Sequence, residues 1–266
     1  MSSLAVTNLS FSYCNAKPVI SDLSVEFKSG ETWAVIGKNG TGKSTLIRCL
    51  AGLEKVQRAT VCVDSADILD MKPVALAKIC SYVPQASLHI PPAFTVAEYV
   101  LMGRYPYCGF PVKYTRTDKL IVEDALAMTD TAMFADRSMK TLSGGELQRV
   151  FIAGAVAQQT SIMFLDEPVS FLDPMHQEMI HATLERIHAQ FGTTLITVTH
   201  DINSALQQNS HILALGMGCK LFSGTTGEFL LDAESLLYGI YGIRFEKATG
   251  EISSCSFLVP RLVGQV

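Results

Sequence analysis

The sequence has little of what would place it in several common classes. Its seven cysteines (14, 49, 62, 80, 108, 219 and 255) form no Cys-x-x-Cys pair, and their number is odd. That pattern reads as reduced thiols used as core filler, not as a disulfide framework or a zinc site. There is no run of Lys or Arg, and 21 basic residues face 25 acidic ones for a net charge of −4. A basic nucleic-acid surface is therefore not indicated. No apolar run approaches the roughly 18–20 residues that span a bilayer. Met1-Ser2-Ser3-Leu4-Ala5 has no basic segment leading into an apolar one, so no signal peptide is expected. Internal repeats and low-complexity segments are also missing.

What remains is an apolar chain, 48% hydrophobic over 266 residues, with room for one large domain or a core carrying an inserted subdomain. Strands alternating with helices predict a mostly parallel sheet. The most informative stretch is Gly37-Lys38-Asn39-Gly40-Thr41-Gly42-Lys43-Ser44, followed by Thr45. It fits G-x-x-x-x-G-K-[ST], between a buried-strand pattern at 32–36 and an apolar helix pattern at 45–51. Glycines let such a loop point its N–H groups at phosphate oxygens, and the helix adds the positive end of its dipole. Lys43 can reach the β- and γ-phosphates, and Ser44 can place a hydroxyl on Mg²⁺.

Around this loop, residues 4–28 alternate as antiparallel β structure. Short strands are predicted at 59–63 and 81–83, with a helix over 73–79 between them. Thr95 and Glu98 have capping-box spacing for a helix through about Met102. Residues 103–114 read as loop, 117–128 as an amphipathic helix and 132–134 as a short helix. Residues 86 to about 140 thus form a small helical insert. Beyond it come a helix over 147–158, a strand at 161–165, a helix over 174–190 and a strand at 193–199. A helix over 201–208, strands at 211–215 and 220–222, and a hairpin turning at Thr249-Gly250 complete the chain.

Two further constellations carry chemistry. Ile162-Met163-Phe164-Leu165 is an apolar strand that delivers Asp166 and Glu167 to the ligand edge of the sheet. Asp166 would hold Mg²⁺, and Glu167 would polarise the attacking water, which requires it within about 3 Å. Ser143-Gly144-Gly145-Glu146 opens a helix. In isolation it is a plain capped helix or an anion site. Two phosphate-binding helix starts in one chain fit together if the second serves a neighbouring chain's nucleotide. Tyr13, taken alone, is either a half-buried tyrosine or a ring able to stack on a purine.

With these motifs in this order, nearly the whole chain resembles the ATP-binding subunit of an ABC transporter. The resemblance implies a P-loop NTPase core with an antiparallel β subdomain and an inserted helical subdomain. Its bounds are a RecA-like core at 1–85 and 150–240, helical residues 86–149, and a C-terminal β tail at 241–266. It implies a Q-loop at Gln85, a signature at Leu142 to Glu146, a D-loop at Ser170 to Asp173, a switch histidine at His200 and adenine stacking by Tyr13. It also implies ATP and Mg²⁺ as ligands, with Ser44, Gln85 and Asp166 at the metal and Lys43, Gln85, Glu167 and His200 in catalysis. The implied partners are a second copy of the chain, head to tail, a polytopic membrane permease and, indirectly, a substrate-binding protein. The place is then the cytoplasmic face of the membrane. Two departures stand out: Glu146 replaces the common Gln of the signature, and the segment 54–61 near Arg58 lacks the usual Pro/Gly-rich turn.

The stretch Ala93 to Pro106, with Phe171 to Gln177 and Leu237 to Ile243, is similar to ATPases of iron-siderophore, haem and cobalamin importers. Val100 to Tyr105 is also similar to zinc and manganese importer subunits. A non-transport member, such as an iron–sulfur assembly factor, is the other class. No insertion long enough for a DNA-repair coiled coil lies between Gln85 and Ser143.

Overall fold

Apolar alternation builds the first of two sheets. In the computed structural model, which describes residues 2–14, 17–57, 60–85, 94–249 and 256–261, β1 (Leu4–Phe11) pairs antiparallel with β2 (Ile20–Phe27). Leu4, Val6, Leu9, Ile20, Leu23 and Phe27 face the core from this pair. The chain then crosses to a second sheet through β3 (Thr32–Gly37) and enters α1 (Lys43–Leu50). It returns for β4 (Val61–Val63) and β5 (Ala66–Asp67), giving the order β2-β1-β4-β5. Residues 58 and 59, at the predicted start of β4, lie outside the described residues.

The second sheet positions the site. After α2 (Pro73–Leu76) come β6 (Cys80–Val83), α3 (Val96–Met102), α4 (Arg116–Met128), α5 (Gly144–Ala157) and β7 (Ile162–Asp166). These are followed by α6 (Pro174–Phe191), β8 (Thr194–Val198), α7 (Ile202–Gln208), β9 (His211–Gly216) and β10 (Cys219–Thr225). The strand order is β10-β9-β3-β8-β7-β6, parallel except for β10. Strands covered on both faces should read as continuous apolar runs. In β7 all five residues are buried. Because β6, β7, β8 and β3 run parallel, their carboxyl ends lie along one edge. That edge carries Gln85, Asp166, His200 and Gly37 in turn.

The insert packs as a three-helix unit, with α3 and α4 against α5. Val96, Val100, Val122, Leu126, Val150 and Phe151 form its core, continuous with Met163 and Ile180 of the main body. Thr95 and Thr115 cap α3 and α4 with reciprocal bonds to Glu98 and Asp118. A Cβ on Gly103 would collide with the backbone oxygen of Gly154, so α3 ends hard against α5 only because the side chain is absent. Arg104 follows, 5% exposed, bonded to Asp118 (3.0 Å), the Ala157 carbonyl (2.7 Å) and Gln159 (3.0 Å). It binds the start of α4 to the end of α5. The 149/150 boundary expected between helical unit and core falls inside α5, which belongs to both.

The structure departs from the sequence pattern in three other places. The helix expected over 73–79 ends at Leu76, because Ile79 and Cys80 turn into the edge strand β6. The 103–114 loop contains a 3-10 turn at Tyr105–Tyr107. Residues 226–241, given no secondary structure by periodicity, form α8 (Thr226–Leu231) and α9 (Ala233–Tyr241). Both are short, and their packing is tertiary: Phe229, Leu237 and Ile240 cover Ala34, Ile36 and Ile212 of the central sheet. The hairpin β11 (Phe245–Thr249) and β12 (Ser256–Pro260) closes the chain, its turn lying outside the described residues. The six described cysteines are free thiols. Burial pushes Cys49 and Cys80 up to about 12, in keeping with inert filler. No described helix is long and apolar enough to cross a membrane.

Candidate active site

The loop after β3 is shaped by close approaches. Gly42 adopts φ 93° and caps α1, where a Cβ would stand 2.8 Å from the Val19 carbonyl. Only glycine meets both conditions. Thr41 closes the loop by donating its hydroxyl to the Lys38 carbonyl at 2.8 Å. Lys43 is 6% exposed and donates from Nζ to the Gly37 and Lys38 carbonyls at 2.9 and 3.0 Å. Burial lowers its pKa, while the nearby Glu167 and Asp166 carboxylates push it back up. The ammonium therefore lies within the loop, facing the acids at the end of β7.

Asp166 ends β7 and is 7% exposed. Ser44, at the start of α1, donates to its Oδ1 at 2.8 Å, and Tyr82 donates to its Oδ2 at 3.0 Å. Burial raises the Asp166 pKa, and the Ser44 and Tyr82 bonds oppose that rise. The adjoining hydroxyl and carboxylate are hard oxygen donors. They fit Mg²⁺, which takes one or two protein oxygens and leaves its other positions to water and phosphate.

Glu167 follows the strand at φ 48°, in the left-handed region. Its Oε2 accepts from Ser170 Oγ at 2.8 Å and from Gln85 Nε2 at 3.3 Å, and His200 Nδ1 stands 3.8 Å away. Three chain segments, those after β6, β7 and β8, thus meet at one carboxylate oxygen. Gln85, Glu167 and His200, read from separate motifs, are brought together. Ser170 and Tyr82 were not assigned contacts by the sequence. Ser170 stood inside the D-loop match, whereas Tyr82 had no signal beyond an aromatic in a short strand.

Other candidates lie further out. Tyr13 is 40% exposed, with its hydroxyl 3.4 Å from Thr45 Oγ1 and 3.3 Å from Glu54 Oε1. Ser143 and Gly144 are exposed at the start of α5, and Gly145 is buried against His176. Ser143 bonds Glu146 in a capping box, and Glu146 also pairs with Arg137 at 3.4 Å. That pairing and the ionised cap give a physical role to the acid that replaces Gln in the signature. Among the described residues, Ser143 hydrogen-bonds Glu146 and does not join the loop of Gly37 to Ser44. Lys38, Asn39 and Gly40 are exposed on that loop. Arg58 and the stretch 86–93, with His89, fall outside the described residues.

Comparison with known proteins gives concordant results. Residues 20–170 match the family described as ABC transporter. The chain is 35% identical to the petrobactin import ATP-binding protein FpuC of Bacillus anthracis, over 92% of this chain and 88% of that one. It superposes with a TM-score of 0.84 on a subunit of a putative metal-chelate type ABC transporter in an inward-facing conformation. Identity there is 26%, and 99% of each chain is covered. A dimeric, post-hydrolysis ATP-binding cassette bound to ADP and phosphate superposes at 0.73, with 26% identity over 84% of this chain and 98% of the other.

Proposed function

The chain belongs to the ABC transporter family as an ATPase subunit, and from that premise we propose that it powers import of an iron chelate (a siderophore), of haem or of cobalamin. The observation that carries the catalytic part is the meeting of Ser170, Gln85 and His200 at Glu167 Oε2, beside the Ser44–Asp166 pair. The chelate is inferred from kinship with a petrobactin importer and a metal-chelate transporter.

In this reading the residues Gly37, Lys38, Asn39, Gly40, Thr41, Gly42, Lys43, Ser44 and Thr45 hold the ATP phosphates, and Tyr13 stacks on adenine. Glu167 takes the proton of the attacking water. His200 and Gln85 fix the geometry of attack. Ser44, Asp166 and Gln85 would hold Mg²⁺, which would supply positive charge to the nucleotide phosphates. A second copy, head to tail, contributes Ser143, Gly144 and Gly145 to close the site. The core at 1–85 and 150–240 binds nucleotide. The helical unit at 86–149 takes up a permease at the cytoplasmic face of the membrane, with a substrate-binding protein delivering the chelate on the far side. ATP makes contacts with both chains only in the closed dimer, so it biases closure, and hydrolysis removes that bias.

The test is a pull-down of this chain from detergent-solubilised native membranes, with identification of what co-purifies. The expected result is a polytopic permease of the chelate type with its binding protein. A permease for bare zinc or manganese would replace the cargo assignment. Soluble assembly factors alone would overturn transport while leaving the ATPase in place.

A further inference from the structure

Tyr82 lies on β6 opposite Phe164 of β7, so Asp166 is two residues further along on the same face. Such diagonal neighbours are within reach of an aromatic side chain. The ring packs on the central core, and the hydroxyl donates to Asp166 Oδ2 at 3.0 Å. Asp166 Oδ1 is left to Ser44 at 2.8 Å. A buried carboxylate with one oxygen pinned by a donor has a fixed plane, and only its other oxygen faces the serine. Removing the donor would take the Tyr82 bond from Oδ2 and leave the carboxylate plane free to turn.

We propose that Tyr82 is a positioning residue for the divalent cation of the nucleotide. Its hydroxyl holds the Asp166 carboxylate turned so that Oδ1, beside Ser44, would receive the metal. This rests on the ATPase reading above and assigns a role to a residue outside the motifs that carry it. β6 is the edge strand of the sheet and runs directly into Gln85, so the same hydroxyl ties the Asp166 carboxylate to the strand that delivers the Q-loop.

The experiment measures Mn²⁺ binding by EPR in the presence of a non-hydrolysable ATP analogue, for the full chain and for Tyr82→Phe, Asp166→Asn and the double variant. Affinity for the same analogue in EDTA is measured in parallel. Tyr82→Phe keeps the ring and is expected to weaken Mn²⁺ binding about tenfold, the scale of a hydrogen bond to a charged group. Metal-free nucleotide affinity should not change. On the Asp166→Asn background, Tyr82→Phe should add no further loss, because the carboxylate it serves is gone. Unchanged Mn²⁺ affinity in Tyr82→Phe, alongside a loss in Asp166→Asn, overturns the role of Tyr82 alone. An additive loss in the double variant, or lost metal-free binding, overturns it in favour of ring packing. Unchanged affinity in Asp166→Asn removes the cation site itself, and this proposal with it.

Discussion

Glu167 is held in a left-handed backbone conformation that costs a non-glycine residue roughly 1–2 kcal/mol. From this conformation the carboxylate meets Ser170, Gln85 and His200. The two adjacent acids thereby have different hydrogen-bond partners, Ser44 and Tyr82 at Asp166 and Ser170 and Gln85 at Glu167. Glu167→Gln preserves the shape and the hydrogen-bonding capacity of the side chain but cannot accept a proton. ATP affinity should be retained, and turnover should fall by about 100-fold or more, the range of a lost general base. Phosphate release and equilibrium binding of a fluorescent ATP analogue check this, and wild-type turnover in the variant would remove Glu167 from the role. The pairing of Asp166 with Glu167 after an apolar strand was legible in the sequence. The hands that hold each acid were not, since Tyr82 and Ser44 sit 84 and 122 positions from Asp166.

Among the helices, local signals carried far. The Thr95–Glu98 box is complete within four residues and forms as its spacing predicts. The ends of the helices that touch other helices are a different matter. Arg104 follows α3, but its partners belong to α4 and to the end of α5, and Tyr107 covers its guanidinium at 3.9 Å. In the sequence it looked like one residue of a loop. Arg104→Ala should lower stability by about 3 kcal/mol, the usual cost of breaking a buried ion pair by removing one partner. Urea unfolding checks this as a lowered midpoint. Arg104→Lys should recover only part of the loss, because an ammonium cannot fork between a carboxylate, a carbonyl and an amide. A wild-type midpoint in Arg104→Ala would show that the three bonds contribute nothing net.

At the scale of the whole molecule, the Ser143–Gly144 turn is displayed at the surface and, among the described residues, the Ser143 side chain hydrogen-bonds Glu146. In the proposed head-to-tail pair, this turn would meet the phosphate loop of the other chain. Ser143→Arg places a bulky cation where a partner's phosphates would approach and should leave the P-loop of its own chain intact. Monomer ATP affinity should be unchanged, while turnover of the homodimer should fall about 100-fold, the scale of a lost oxyanion donor. Mixed dimers with one variant chain should keep hydrolysis at one of the two sites. If such dimers hydrolyse at full rate in both, the shared site is excluded.

The sequence by itself determined which motifs stand at the ends of the buried strands. Apolar runs that end in Gly37 and Asp166 bring the phosphate loop and the acid to strand ends, and strands alternating with helices predict the parallel sheet that puts those ends on one edge; the place of His200 was implied by the family resemblance. It also determined the capped helices, whose stabilising bonds span three residues. Tertiary structure alone decided α8 and α9, too short to declare themselves by period and held by Phe229, Leu237 and Ile240 on the far face of the sheet. It decided, too, that Tyr82 and Ser44 share the oxygens of one carboxylate. Strand order governs which distant residues become diagonal neighbours, and strand order is set by the packing of the whole core, not by any one segment.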